Sequence, residues 1–297
     1  MILQVQRVMK LQDPTLYFDS DYAKFYGSGK GNFWSDLCRR LVDEAELNPE
    51  DIVADLGCGT GYATREIVKS GCSRVYAVDP SKAMLDEANG NLDGSLVIEG
   101  TIDDLIFSGL QKPSVIISSG VFVVMQDSLD TLRKIYDYLG NNGRYIFTVE
   151  DWTTANVDGE PLDYFFERVR EYEQRLGIEN DGLFVKGSRR YSLEEARQMV
   201  IEAGGKIINA YSVEMSHRAE RRWDYGYELS FVNSDIKRLE GRLREEGMSL
   251  GTGRILKIGK ELDKLRERER LFEEFKSLYA CKKWVVGTQH VFHTVKG

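Results

Sequence analysis

The chain has little with which to build a disulfide framework or a zinc centre. Its 297 residues include four cysteines, Cys38, Cys58, Cys72 and Cys281, with no CxxC pair among them. That usage fits a reduced, cytoplasmic protein without a structural metal. Histidine is scarcer still: His217, His290 and His293 all lie late in the chain, which leaves little for a histidine metal cluster. No apolar run is long enough to span a membrane. The opening "MILQVQRVMKLQDP" lacks the continuous apolar core and small-residue cleavage site of a signal peptide. Positive charge is not in excess. The balance of 40 Lys+Arg against 48 Asp+Glu gives a net −8 and a pI near 5.2, which disfavours a polyanionic partner such as nucleic acid without excluding one. Repeats, low-complexity segments and a clear interdomain linker are also missing.

What is present is regular. Hydrophobic residues make up 42% of the chain, enough for a sizeable core. Strand and helix patterns alternate from about residue 32 to 150. "NFWSDLCRRLVDEAEL" reads as an amphipathic helix with Asn32 as its cap, "DIVADL" as a strand, and "YATREIVKSG" as a helix closing at Gly71. "SRVYAVD" is the next strand and "SKAMLDEANGN" the next helix, capped by Ser81. "SLVIEG" and "PSVIISSG" are third and fourth strands, "DSLDTLRKIYDYLGNNG" a helix ending in a turn, and "RYIFTVE" a fifth strand. Such alternation with apolar strands predicts a mostly parallel sheet covered by helices on both faces. Beyond residue 150 come an aromatic helical segment within 160–190, a capped helix "YSLEEARQMVIEAGG" leading into a sixth strand "KIINAYSVEM", and a final strand "QHVFHTVK" at the sheet edge. The stretch 215–283 is polar with two helical runs. Their apolar stripes, Ile236, Leu239 and Leu243 on one and Ile258, Leu262, Leu265, Phe272, Phe275 and Tyr279 on the other, predict a helical pair packed on the body. A homodimer contact through 234–281 is the alternative use of those stripes. The expected organisation is therefore an N-terminal cover segment 1–31, a core of 32–214 and 284–297, and a mainly helical insertion 215–283. The fold class is α/β, with seven strands, the last of them antiparallel.

The chemistry concentrates in "VADLGCGTGYATREI", residues 53–67. Gly57, Gly59 and Gly61 stand at alternate positions between a strand and a helix. Glycines there permit positive φ and let a ligand approach the backbone, while free amides at the helix start add a partial positive charge. Dinucleotides and S-adenosylmethionine both use this device. The spacing is GxGxG rather than the GxGxxG of dinucleotide folds, and an acid, Asp55, precedes it. Asp79 ends the second strand, eighteen residues past Gly61, where a carboxylate accepts hydrogen bonds from both hydroxyls of a ribose. Alone, it would read as a turn residue.

These motifs, in this order, resemble the class I S-adenosylmethionine-dependent methyltransferases, particularly those acting on small molecules. "VADLGCGTG" is similar to the family's first motif and "VDPSKAMLDEA" to its ribose-binding strand end. "IEGTIDDL" looks like the adenine-binding segment, "IISSGVFVVM" the loop after the fourth strand, and "LGNNGRYIFTVE" the fifth-strand hairpin. The resemblance covers about residues 15–150 well and later parts weakly. It implies that Gly57, Cys58 and Gly59 pass close to the methionine part of the cofactor and that Asp55 holds the loop or the ammonium group. It further implies that Asp79 binds the ribose and that Pro80 and Met84 pack on adenine. Ile102 would offer its amide to an adenine nitrogen. The family's usual Asp is replaced by Thr101, so the adenine amino group can meet Asp103 instead. Ser119 and Gly120 would lie beside the sulfonium. "DYAKFYG" resembles the family's cover segment, with Tyr26 over the cofactor. No metal is implied, and the product would be S-adenosylhomocysteine.

Where some relatives place a histidine after the fourth strand, this chain reads "VFVVM", with Val124 near that position. Replacements are Tyr26, Glu150, Asp151 and His217 as candidate catalytic or anchoring groups, each with an ordinary structural reading beside it. Candidate substrate contacts are Trp34, Tyr164, Phe165, Arg222, Trp223 and Tyr225. The expected reaction is methyl transfer to an O, N or C nucleophile of a small molecule, governed by alignment and exclusion of water more than by one strong base. Alternatives are a methyltransferase for protein or RNA, or a protein that binds S-adenosylmethionine without methylating. The absence of a "[DNS]PP[YFW]" segment after the fourth strand, where "SSGV" stands, weighs against the common amino-group enzymes for bases or glutamine.

Overall fold

The computed structural model describes Ala23 and residues 33–88, 90–122, 125, 127–151, 156–157, 160–161, 191–218, 226–246, 252–278 and 283–297. The cover segment with Tyr26, the aromatics Tyr164 and Phe165, Val124, and the group Arg222, Trp223 and Tyr225 lie outside them. The chain forms two compact units, one of residues 1–154, 186–215 and 287–297, the other of residues 155–185 and 216–286.

The larger unit starts with α1 (Phe33–Glu44), followed by β1 (Ile52–Leu56), α2 (Tyr62–Lys69), β2 (Arg74–Asp79) and the short α3 (Lys82–Asp86). Then come β3 (Leu96–Glu99), α4 (Ile102–Phe107), β4 (Val115–Ser118), α5 (Ser128–Tyr138) and β5 (Arg144–Asp151). In the second unit β6 (Asn156–Val157) and β7 (Glu160–Pro161) form a small antiparallel hairpin, with β6 pairing to Trp284 and Val285. The chain continues with α6 (Leu193–Glu202), β8 (Gly205–Arg218), α7 (Gly226–Glu246), α8 (Thr252–Leu278) and β9 (Lys283–Lys296).

Among the described residues the sheet counts nine strands: seven in the order β3-β2-β1-β4-β5-β9-β8, and the β6–β7 hairpin, which also pairs with β9. The first five are parallel, and β9 runs antiparallel to β5. All five residues of β1 are buried, because a central parallel strand has helices over both faces and both of its side-chain rows are inside. The register sets Leu56 beside Val78, and Asp79 beside Glu99. The carboxyl ends of the parallel strands therefore open onto a common edge.

Two apolar layers hold the sheet. Leu37, Leu41, Ile67, Val53, Ile117, Ile146 and Val291 pack on the face under α1 and α2. The opposite layer centres on Phe147, whose ring stacks on Tyr145 at 4.4 Å, Phe292 at 5.1 Å and Phe122 at 5.5 Å between centroids. Tyr136 donates its hydroxyl to Thr294 at 2.8 Å, so this layer also satisfies its polar tips. In the second unit α7 and α8 pack on one another, with Ile236, Leu239, Ile258 and Leu262 buried and Arg266 paired with Glu240 at 2.8 Å.

Three details differ from the sequence reading. Residues 102–107 form a helix, started by a capping box in which Thr101 and Asp104 satisfy each other's ends. The helix expected over 81–91 stops at Asp86, with Gly90 turning to φ 82 shortly after. β8 runs on to Arg218, past the expected strand end at Met215, so the backbone of His217 belongs to a strand.

Phe147 is fully buried at the centre of three stacked rings. Phe147→Ala should cost about 3–5 kcal/mol in urea unfolding, whereas Phe147→Leu should keep most of the stability. A loss under about 1 kcal/mol for the alanine variant would show that the layer re-collapses without the ring.

Candidate functional site

The loop after β1 owes its shape to glycine. Gly57, Gly59 and Gly61 have φ of 73°, 52° and 82°, a region that side chains disfavour. A Cβ on Gly57 would collide with Val121, and one on Gly59 would come 3.1 Å from Met84 Cε. The amides of Gly57 and Cys58 both donate to the carbonyl of Val78, at 2.7 and 3.0 Å, which staples the loop to the end of β2. Gly61 is the N-cap of α2 and brings no side-chain cap. That work passes to Asp55, which accepts the Thr64 hydroxyl at 2.6 Å and the Thr64 amide as well.

Asp79 closes the other side. Its Oδ2 accepts the Gly59 amide at 2.8 Å and its Oδ1 the Ser81 amide at 2.8 Å. A carboxylate has about four acceptor positions, so capacity remains for two hydroxyl groups of a ligand. Met84 is buried beside Gly59. The rest of the candidate adenine side has mixed exposure: Ile102 is buried and Thr101 caps α4, while Asp103 is half-exposed and ion-paired with Lys134 at 3.1 Å.

At the end of β4, Gly120 has φ 69° and donates its amide to Thr148 at 2.9 Å. The space above it is bounded by two groups. A Cβ on Gly120 would lie 3.3 and 3.5 Å from ring carbons of Trp34 and 3.5 Å from Glu150 Oε1. Trp34, Gly120 and Glu150, far apart in sequence, therefore share one spot. Glu150 and Asp151 are neighbours on β5 and leave the strand on opposite faces. Asp151 meets His290 Nε2 at 3.4 Å, and His290 Nδ1 is hydrogen-bonded to Ser212 at 2.9 Å. Sequence reasoning passed over His290. The signal was the pairing of the last strand with the fifth, which sets His290 opposite Val149. Burial holds the His290 pKa below its ordinary value, although Asp151 pulls the other way.

Buried acid dominates this edge. Burial pushes Asp55 up to about 7, with the charge of Asp79 adding to it and the Thr64 bonds opposing it. Burial also raises Asp79, against the two amides that it accepts. Such a site is electrostatically suited to a ligand carrying positive charge. The thiol of Cys38, buried and near Asp55, is pushed up to about 12 and is not a nucleophile. Among the described residues no three His, Cys, Asp or Glu side chains converge as metal ligands, and no helix is long and apolar enough to cross a membrane.

Residues 54–147 match the family described as "Methyltransferase domain". The chain is 32% identical over 121 residues to malonyl-[acyl-carrier protein] O-methyltransferase of Halalkalibacterium halodurans, covering 37% of this chain and 44% of that protein. It is 30% identical over 147 residues to protein arginine N-methyltransferase 1 of Saccharomyces cerevisiae, covering 47% of this chain and 41% of that one. The chain thus spans less than half the length of either relative. Among solved structures, the E. coli protein YjhP superposes with a TM-score of 0.54 at 14% identity, over 96% of this chain and 100% of that one.

Asp55 has a folded-state pKa raised from 3.8 to about 7, so the folded protein binds a proton that the unfolded chain releases. Its contribution to stability is fully present below pH 3.8 and is lost as pH rises towards 7. Between about pH 4 and 7 the ligand-free protein should therefore lose more thermal stability than Asp55→Asn, which keeps an acceptor for Thr64 but has no charge to bury. Parallel melting curves for the two proteins across this window would contradict the assignment.

Proposed function

We propose that this chain, whose core is a class I S-adenosylmethionine-dependent methyltransferase fold, transfers a methyl group to a nucleophilic O, N or C atom of a small molecule. S-adenosylmethionine is the cofactor; when bound it supplies a methyl group already activated by the sulfonium. The observation that carries the reading is the bridge from Asp79 to the Gly59 amide, which joins a glycine cradle without Cβ atoms to a carboxylate with acceptor capacity to spare.

In this reading Gly57, Cys58 and Gly59 present backbone to the methionine part, and Asp55 holds the loop and offsets the ammonium group. Asp79 takes the ribose hydroxyls. Pro80 and Met84 pack on adenine, and Ile102 offers its amide to the ring. With Asp103 engaged by Lys134, the base is held mainly by packing and by the backbone around Thr101. Ser119 and Gly120 line the end from which the methyl group leaves, as does Trp34. Tyr26, Tyr164, Phe165, Arg222, Trp223, Tyr225 and His217 stand as candidate contacts on sequence grounds alone.

The chain's own part in catalysis is alignment and exclusion of water. His290 does not replace a strong base, because burial favours its neutral form and outweighs the pull of Asp151, 3.4 Å from its Nε2. The small-molecule reading draws on the acidic net charge and on "SSGV" standing after β4.

Calorimetry tests the cofactor first: S-adenosylmethionine or S-adenosylhomocysteine should bind and NAD should not. Asp79→Ala removes charge-assisted hydrogen bonds worth about 1.5–3 kcal/mol each, so cofactor affinity should fall at least roughly tenfold. Asp79 also ties Gly59 to Ser81, so Asp79→Asn, which can still accept one of those amides, should weaken binding less. Tight NAD binding without a response to the sulfonium compound would overturn the reading.

A further inference from the structure

We propose that the N-terminal half of α8 docks on the surface of an anionic lipid bilayer, through a lysine stripe and two exposed apolar side chains. This docking does not depend on the methyltransferase reading. Ile258 and Leu262 of α8 are buried where the helix packs on α7, which leaves the opposite face to solvent. Lys257, Lys260 and Lys264 stand at i, i+3 and i+7, so they share a face, and all three are exposed. Beside them Leu256 is 64% exposed and Ile255 39%. Among the described residues Arg254, Lys257 and Lys260 have no ion-pair partner. α7 adds to the charge, since its exposed residues between 237 and 244, Lys237, Arg238, Arg242 and Arg244, are all basic.

The arrangement works against the helix that carries it. Cations near a helix N-terminus oppose the dipole, yet α8 begins with Arg254 and Lys257 and has no acid in its first turn. Lys260 and Lys264, one turn apart, repel each other. Residues 247–260 hold three cations and no acid, in a chain of net charge −8. A dense anionic surface relieves both penalties, and each lysine close to it gains from the negative potential. The apolar pair then selects among anionic partners. Leu256 and Ile255 gain by leaving water for the acyl boundary of a bilayer, and a phosphate backbone offers them nothing comparable. Single-stranded nucleic acid is held by stacking on aromatic side chains, and residues 234–271 contain none. A second copy of the chain would present the same cations, so the face repels itself.

The test is flotation of the full chain with vesicles of phosphatidylcholine alone and of an equimolar mixture with phosphatidylglycerol. At low salt the chain should float with the mixed vesicles and stay behind with the neutral ones. Raising NaCl to about 0.5 M, which screens the charges, should release it. Replacing the stripe by Lys257→Gln, Lys260→Gln and Lys264→Gln together should lower the partition coefficient at least roughly tenfold. Arginine at the same three positions should retain binding. Leu256→Ser should lower it about threefold or more, because the apolar contact is lost. All four side chains are exposed, so thermal melting of these variants should match that of the wild type. Docking on lipid is overturned if the mixed vesicles fail to bind, if neutral vesicles bind as well, or if the glutamine variant binds unchanged. It is also overturned if polyuridylate binds the wild type more tightly than the mixed vesicles do, which would assign the stripe to nucleic acid. The comparison of vesicles on the wild-type chain decides even if a variant fails to fold.

Discussion

One carboxylate bridging two backbone amides sets the working edge of this protein. Asp79 accepts from Gly59 and from Ser81, both at 2.8 Å, and so ties the loop after β1 to the start of α3. The glycines of that loop occupy left-handed backbone regions that other residues disfavour, and a chain so permissive needs external restraint to keep one conformation. The Val78 carbonyl supplies part of it, through two amides. Charge-assisted bonds to Asp79 supply the stronger part. Everything further out inherits this geometry: Gly61 starts α2, Thr64 reaches Asp55, and Met84 lies against Gly59.

The same arrangement has an electrostatic consequence. Asp55 and Asp79 are both buried, and burying carboxylates disfavours their charged form. Hydrogen bonds from Thr64, Gly59 and Ser81 offset that only in part, since both groups remain raised. A core optimised for stability alone would have apolar residues here, given what buried charge costs. The retention of acid where backbone has been cleared of Cβ atoms is the pattern of a site shaped for a cationic ligand.

Much of this was legible in the sequence because it rests on local rules. GxGxG between an apolar strand and an amphipathic helix, with an acid near the end of each of the first two strands, marks the loop and the elements on either side of it. The seven strands follow from runs such as "IVADL" and "VIISS" bounded by turns. What escaped the reading depends on non-local geometry or on competing local signals. The α4 capping box was hidden because Thr101 and Asp104 sit in a segment read only for its resemblance to an adenine-binding segment. α3 was drawn too long because its apolar spacing continues past Asp86, whereas the glycines that follow turn the backbone. His290 belongs to the site edge only through the β5–β9 register. Trp34 and Glu150 meet only because α1 packs against the sheet beside the end of β5.

That meeting also explains why two adjacent acids need not share a role. Side chains alternate along a strand, so the last residues of β5 divide their work by parity alone. Asp151 joins His290 and, through it, Ser212, which links β5, β9 and β8 across the far end of the sheet. These contacts brace the strand end from one face. A braced backbone holds Glu150 against Gly120 and Trp34 on the other. The two faces of this strand end are therefore parts of a single device, one fixing the backbone from which the other projects. A one-residue slip of β5 against β4 would exchange the two acids' environments, turning Glu150 towards the aromatic layer around Phe147 and leaving Trp34 facing the shorter Asp151.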